Sequence, residues 1–170
     1  VKDCLVRGYC FQDESGNRVK RSTLGQSTSQ TLTVVACNDH TYETDDSQES
    51  CEYCGTRNPS KPPEDAVAMV GNDFYTTLLA AVQAADGTGQ PVKLCATCRL
   101  GTLRLDSYTV TIDLNGNSIV SETGNVLTVS GGDVTIQNSG GIESVANNGS
   151  AVYMTGGSLT VEGNVTLRGR

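Results

Sequence analysis

The chain has 170 residues with a net charge of −7, seven cysteines, 19 glycines, no tryptophan and 5% aromatic residues. This length suffices for one modest domain with a small appendage and excludes two large hydrophobic cores. Acidic and basic residues are scattered along the chain, which excludes a basic face for nucleic acid or anionic membranes, and no apolar stretch is long enough for a transmembrane helix.

The N-terminal segment contains a strand-like stretch flanked by Cys4 and Cys10, and a turn is predicted at residues 13–17. The chain opens on Val1-Lys2-Asp3-Cys4 without the apolar core of a signal peptide. We therefore expect a mature or excised fragment of an extracellular protein.

The principal metal-binding motif combines Cys37-x-x-His40 with Cys51-x-x-Cys54-Gly55. A Cys-x-x-Cys turn lets two sulfur atoms converge, and Gly55 permits such a turn to close. Thiolate and imidazole are the donors that a tetrahedral zinc ion prefers. We predict a structural zinc site formed by Cys37, His40, Cys51 and Cys54.

Two other interpretations of this motif stay open. Cys51 and Cys54 can form a redox pair, although a thioredoxin-like motif needs a βαβ context that the surrounding sequence lacks. Disulfides are common in secreted proteins and would leave His40 merely solvated, but seven cysteines leave one unpaired.

A proline-rich segment at residues 59–65 predicts a stiff linker between two parts of the chain. Residues 1–58 form a small Cys/His-rich β module, and residues 66–170 form a second domain. The first module is too small to bury much apolar surface, so a bound metal would supply the stability that its core lacks.

The second domain begins with a predicted helix at residues 76–86, which Thr76 or Thr77 can cap and residues 87–89 end. A first strand follows at residues 92–96. Four apolar side chains of the helix share one face at helical spacing: Leu78, Leu79, Val82 and Ala85. Such a helix can cover the exposed end of a stack of strands.

A further Cys-x-x-Cys motif, Cys95 to Cys98, follows this helix. With Cys4 and Cys10 it supplies four donors for a second zinc ion that would join the two parts of the chain. Disulfides among these four residues, or free buried thiols, are the alternatives. In each case the role is structural.

Three blocks of twelve residues align without a gap at residues 102–113, 126–137 and 151–162, with periods of 24 and then 25 residues. Positions two, four, nine and eleven are apolar throughout: Leu103, Leu105, Val110, Ile112, Leu127, Val129, Val134, Ile136, Val152, Met154, Leu159 and Val161. Each block therefore predicts two short strands in a right-handed parallel β-helix. The alternative is an antiparallel sandwich with coincidental spacing.

In a β-helix, equivalent residues form columns along the axis. We expect an outward column of Thr111, Thr135 and Thr160, and an inward column of Ile112, Ile136 and Val161. Val165 and Leu167 predict a further strand. Since no polar cap follows it, we expect a longer native protein.

Sequence motifs in the second domain occur in a recognisable order: YTTL at residues 75–78 with Ala81 and Ala85 in the helix, VTIDLNG at residues 110–116, and a Gly-Gly turn before each later strand pair. In these features residues 66–170 resemble the pectate-lyase-like β-helix modules of surface proteins from anaerobic Gram-positive gut bacteria. The resemblance implies extracellular display, at the cell surface or in secreted form, and a short Cys/His zinc knuckle ahead of the repeats.

The predicted columns contain no cluster of catalytic carboxylates. Asp113 is expected to stack on Gln137, and Asp133 on Ser158, so acids do not adjoin. Since His40 is assigned to the zinc site, we predict that the chain is not an enzyme and has no catalytic residue.

We expect instead an adhesin-like recognition module that binds a host glycoprotein, an immunoglobulin or a glycan. Arg104, Tyr108 and Tyr153 are its candidate ligand contacts. Two alternatives are an N-terminal fragment of a carbohydrate-active β-helix enzyme and a structural stalk.

Overall fold

The computed structural model of the protein describes residues 6–27, 31–40, 50–58 and 60–170. The chain divides into two compact units, Val1–Lys61 and Pro62–Arg170, and the division falls within the predicted linker. The fold is mainly β and contains a parallel solenoid of about three turns, as the repeats predict. No helix in the described part of the chain is long and apolar enough to cross a membrane.

The N-terminal unit is built on a three-stranded antiparallel sheet with the first strand in the middle. Its strands are β1 (Tyr9–Gln12), β2 (Arg18–Val19) and β3 (Thr33–Ala36), and a short 3-10 helix spans Leu24–Gln26. The predicted turn after β1 forms because the Asp13 carboxylate accepts hydrogen bonds from the backbone N–H groups of Ser15 and Asn17, at 2.9 and 2.8 Å. Cys10 lies within β1 rather than at the end of a strand.

A hairpin and a helix cover one end of the solenoid. Their elements are β4 (Ala68–Val70), β5 (Asp73–Tyr75) and α1 (Leu78–Ala85), and β4 pairs antiparallel with the first solenoid strand, β6 (Val92–Leu94). Thr77 caps α1, since its hydroxyl oxygen accepts a hydrogen bond from the Ala80 backbone at 3.3 Å. The expectation that Leu79 joins the buried face is wrong, because Ala81 completes that stripe and Leu79 is 44% exposed.

The solenoid winds through three parallel sheets. The first contains β8 (Leu103–Leu105), β11 (Leu127–Val129) and β14 (Val152–Met154). The second contains β6, β9 (Tyr108–Asp113), β12 (Gly132–Gln137) and β15 (Ser158–Val161). The third contains β7 (Cys98–Leu100), β10 (Ser118–Ser121), β13 (Gly140–Ser144) and β16 (Val165–Arg168). The two strands predicted per block are thus confirmed, and a third strand joins successive blocks.

Stacking in register forms the predicted columns. Thr135 pairs with Thr111 and Thr160, while the adjacent inward position pairs Ile136 with Ile112 and Val161. The predicted apolar positions of the first two blocks are all buried: Leu103, Leu105, Val110, Ile112, Leu127, Val129, Val134 and Ile136. In the third block the equivalent Val161 is 41% exposed, because β15 has a neighbour on one side only among the described strands.

The turn between the first and second sheets requires glycine at Gly132. This residue has a φ of +75°, which L side chains rarely adopt, and it stacks in register on Tyr108. An added Cβ atom would collide with the carbonyl oxygen of Tyr108. The close approach of successive turns therefore depends on the missing side chain.

We expect Gly132→Ala to lower the free energy of unfolding of the solenoid by about 2–5 kcal/mol, because the left-handed backbone and the steric overlap both cost energy. Gly116→Ala is the matched control, since Gly116 has a φ of +80° but no atom lies within 4 Å of its added Cβ. Its loss should be about 1–2 kcal/mol. Denaturant unfolding followed by circular dichroism measures both, and equal losses would contradict the steric explanation.

Candidate metal centre

The second half of the metal-binding motif is a tight turn. The backbone N–H of Gly55 donates to the Cys51 carbonyl at 2.8 Å, and the N–H of Cys51 donates to the Thr56 carbonyl at 2.7 Å. Gly55 has a φ of +71°, so it closes the turn as the sequence predicts. Cys51 and Cys54 are consequently held on the same side of the turn.

The first half of the motif follows the end of β3. The backbone N–H of Cys37 donates to the Gly8 carbonyl at 2.7 Å, which extends the pairing of β1 and β3 by one hydrogen bond. Beyond it, the chain turns and brings His40 back beside the same cluster. The sheet thus fixes Cys37, and the following turn positions the imidazole.

The four predicted ligands converge in the N-terminal unit. Sγ of the three cysteines and one ring nitrogen of His40 all lie within 4.8 Å of one another. Sγ of Cys54 lies 3.4 Å from Nδ1 of His40. A tetrahedral ion with metal–sulfur bonds of about 2.3 Å places its sulfur ligands roughly 3.8 Å apart, so the cluster has the size that such an ion needs.

Because the cluster is buried, ionisation of several of its thiols is unfavourable unless a cation is bound. The pKa of Cys37 is raised. Burial is the largest cause, and the hydrogen bond with Cys54 and the charges of the neighbouring cysteines add to it. Burial also acts to raise the pKa of Cys54, but hydrogen bonds from Thr56 and the adjacent cysteines outweigh it, and the net pKa is lowered. Cys54 is therefore the first candidate to bind as a thiolate, and the charge of a metal ion would stabilise the others.

Thr56 is a supporting residue that the motif did not identify. Its backbone N–H lies 3.4 Å from Sγ of Cys54, and its buried hydroxyl lies 3.1 Å from the same atom. Both groups can donate to a thiolate, which stabilises the anionic ligand and fixes its orientation. The sequence feature that could have identified Thr56 is its position directly after Cys-x-x-Cys-Gly.

Basic side chains around β2 connect both halves of the motif. Arg18 donates from Nη1 to the carbonyl oxygen of Asp39 at 2.7 Å, while Arg21 donates from Nη1 to that of Cys54 at 3.0 Å. Lys20 forms an ion pair with Glu52 at 2.6 Å. These contacts tie residues 18–21 to both ligand turns. Asp39 and Glu52 balance the charges of Arg18 and Lys20, so Arg21 is the residue of the three that places positive charge beside a site that three thiolates would make anionic.

The remaining cysteines have different surroundings. The structure pairs no described cysteine in a disulfide. Cys98 lies in the solenoid core, where it stacks on Ile119 and burial raises its pKa to about 11. Burial also raises the pKa of the half-buried Cys95, against the charge of Lys93.

The second zinc site stays a prediction. Cys10 belongs to the N-terminal unit, whereas Cys95 and Cys98 belong to the second unit. The fourth predicted ligand, Cys4, lies outside the described residues.

The candidate ligand contacts of the solenoid separate into two groups. Thr128 pairs with Arg104 on β8 and with Tyr153 on β14, so these three residues form one column on the first sheet. Arg104 is exposed, and Tyr153 is 51% exposed. Tyr108 lies on the second sheet and packs partly against the core. The structure therefore brings Arg104 and Tyr153 onto one face and leaves Tyr108 on another.

Comparison of the chain with protein-family models, curated proteins and solved structures found no match.

We expect removal of the metal to unfold the N-terminal unit and leave the solenoid intact. The buried core cluster of the N-terminal unit consists of four cysteines, Cys10, Cys37, Cys51 and Cys54. This unit therefore has little aliphatic core that could replace the ion. Hydrogen exchange after treatment with a chelator should lose protection in β1 and β3 and keep it in β9 and β12. Cys51→Ser should reproduce this loss, with Cys95→Ser as the control for removing a thiol. Unchanged protection in β1 and β3 after verified metal removal would contradict the prediction.

We expect Thr56→Val to weaken metal binding by about tenfold or more, because the hydroxyl donor to Cys54 is lost at nearly constant side-chain volume. Thr56→Ser keeps the hydroxyl and should bind within a few-fold of the parent protein. Competition titration with a chromophoric chelator measures both affinities. Binding by Thr56→Val that is as tight as binding by Thr56→Ser would contradict the role of the hydroxyl.

Proposed function

We propose that the metal is zinc and that its role is structural. Three cysteine sulfurs and one histidine nitrogen form a donor set typical of structural zinc sites, and four protein ligands leave no coordination position for substrate or water. The ion would take the place of the hydrophobic core that the N-terminal unit lacks. Elemental analysis of purified protein should find zinc bound at this site, and its absence would remove the basis for this assignment.

The solenoid, in this proposal, is a recognition surface rather than a catalytic one. The observation that carries it is the outward column of Arg104, Thr128 and Tyr153, in which Arg104 and Tyr153 are exposed and Thr128 is partly buried. An aromatic ring offers an apolar face to a sugar ring, and arginine and threonine supply hydrogen-bond donors. Adjacent strands are about 4.8 Å apart, so the column spans roughly 10 Å and suits an extended ligand. A glycan, free or on a host glycoprotein, fits this chemistry better than an immunoglobulin surface.

The acidic residues of the second sheet support a non-enzymatic role. Asp113 pairs with Gln137, and Asp133 pairs with Thr109 and Ser158. Cys98 is also a poor nucleophile, because burial raises its pKa to about 11 and keeps it as a thiol. Glycoside hydrolysis needs two carboxyl groups facing one bond, and neither Asp113 nor Asp133 has another acid as its in-register neighbour.

We further propose display outside the cell, as a surface-bound or secreted adhesin-like protein of an anaerobic Gram-positive gut bacterium. The resemblance of residues 66–170 to pectate-lyase-like surface modules supports this proposal. The unpaired Cys95 and Cys98 agree with an anaerobic setting, where exported thiols are less exposed to oxidation.

We expect Arg104→Ala and Tyr153→Ala each to weaken glycan binding by about tenfold or more, since both side chains are of the types that dominate recognition surfaces. Their exposure means that the fold should be unaffected. Arg99→Ala is the matched control, because Arg99 is an exposed arginine on the third sheet that pairs with Glu122 at 2.8 Å. A glycan array followed by calorimetry measures the effect. Binding that is lost equally in Arg99→Ala would contradict a site on the first sheet, and failure to bind any glycan or mucin would favour a stalk.

A further inference from the structure

A fourth thiol lies beside the predicted zinc ligands. Cys10 is completely buried and belongs to the same buried cluster as Cys37, Cys51 and Cys54, which we call the thiol cluster. The strand register explains its place. Cys10 pairs with Val35, and Cys37 lies two residues further along the same chain segment. Since side chains alternate between the two faces of a sheet, Cys10 and Cys37 point to the same face.

The nitrogen ligand is the least enclosed member of the site. Each residue of the thiol cluster is 3% exposed or less, whereas His40 is only partly buried. Its ring is held beside Sγ of Cys54 by a turn rather than by a strand. Replacement of the imidazole therefore requires less rearrangement than replacement of any buried thiolate.

The surroundings of Cys10 differ from those of a cysteine that only fills space. Cys98 illustrates that second case, because its side chain stacks on Ile119 in the aliphatic core of the solenoid. Cys10 instead has three other thiols in its cluster, and among the described residues the partly buried hydrophobic side chains packed against that cluster are Val35 and Tyr53. A valine or isoleucine would fill such a space without the sulfur atom.

We propose that Cys10 is a reserve metal ligand, which replaces His40 when a softer ion than zinc occupies the site. This inference rests on the proposed zinc site. In the exchange the S–H bond of Cys10 breaks and its proton passes to solvent, a metal–sulfur bond forms, the metal–nitrogen bond to His40 breaks, and no electron is transferred. The ligand set changes from three thiolates and one imidazole to four thiolates, and a soft ion such as cadmium prefers the latter.

A basic residue beside the site favours this exchange. Four thiolates around a divalent ion carry one more negative charge than three thiolates and an imidazole. Arg21 is already held beside Cys54 by its hydrogen bond to the Cys54 carbonyl, so its charge can offset part of the added charge without a large movement, whereas the charge of Lys20 is balanced by Glu52.

X-ray absorption spectroscopy of the full chain, loaded with one equivalent of zinc or of cadmium, tests the inference by counting metal–sulfur bonds. We expect three sulfur ligands and one nitrogen ligand with zinc, and four sulfur ligands with cadmium. Cys10→Ser should return the cadmium site to three sulfurs, and Cys95→Ser should keep four. Three sulfurs and one nitrogen with both metals would overturn the inference and leave the zinc site standing. If the parent protein binds neither metal at the thiol cluster, the proposed zinc site itself fails.

Cobalt binding provides a second measurement. In His40→Ala, the charge-transfer absorption should rise by about a third, as three cobalt–sulfur bonds become four. Adding Cys10→Ser to this variant should remove the rise and weaken cobalt binding by about tenfold or more. An identical spectrum and affinity in the single and double variants would overturn the role of Cys10. Should His40→Ala fail to fold, the cadmium measurement on the parent protein decides.

Discussion

In-register stacking of short parallel strands is the constraint on which the second unit depends. All its strands have only three to six residues, which is too short for an isolated strand pair to be stable. An inner strand gains its stability from neighbours above and below that bury the same inward position, as Ile136 shows between Ile112 and Val161. A shift of one residue in any turn would move every inward side chain to the outer face.

The N-terminal unit differs from the solenoid, because it lacks a comparable aliphatic core. Its buried cluster is made of thiols rather than aliphatic side chains. Thiols in such a cluster become stabilising when a cation replaces their protons, so folding and metal binding become one process. Contacts from residues 18–21 to both ligand turns would extend that coupling across the unit.

The sequence was sufficient to predict features that repeat or that have fixed spacing. The two strands of each block, their columns and the four-residue metal cluster follow from periodicity and from ligand chemistry. The third sheet was missed at β10 and β13 because its buried side chains, Ile119 and Ile142, stand in segments without a clear alternation. The β4–β5 hairpin was missed although Gly71-Asn72 is a two-residue turn of the kind that joins hairpin strands, because each strand has only three residues and shows too little alternation.

The spacing of residues in the sequence did not predict which side chains surround each candidate ligand or contact residue. Cys10 and Cys98 were grouped as ligands of one site, yet one is packed among thiols and the other among aliphatic residues. Likewise, Tyr108 was grouped with Arg104 and Tyr153 on the basis of neighbouring repeat positions. Which sheet a residue joins depends on where each turn bends, and that is a property of the folded chain.

The change of repeat period from 24 to 25 residues has a structural location. The passage from the third sheet back to the first spans residues 122–126 in one turn and residues 145–151 in the next, so it is two residues longer. The corner between the second and third sheets shortens at the same time, from residues 114–117 to residues 138–139, which reduces the net change. The corner between the third and first sheets accepts extra length while the columns on either side keep their pairing, partly because Asn148 and Gly149 form a turn there, in which the Gly149 N–H donates to Ala146 at 3.2 Å. It is therefore the place where new loops can be inserted during evolution or by engineering, which would let one unchanged scaffold acquire different binding specificities.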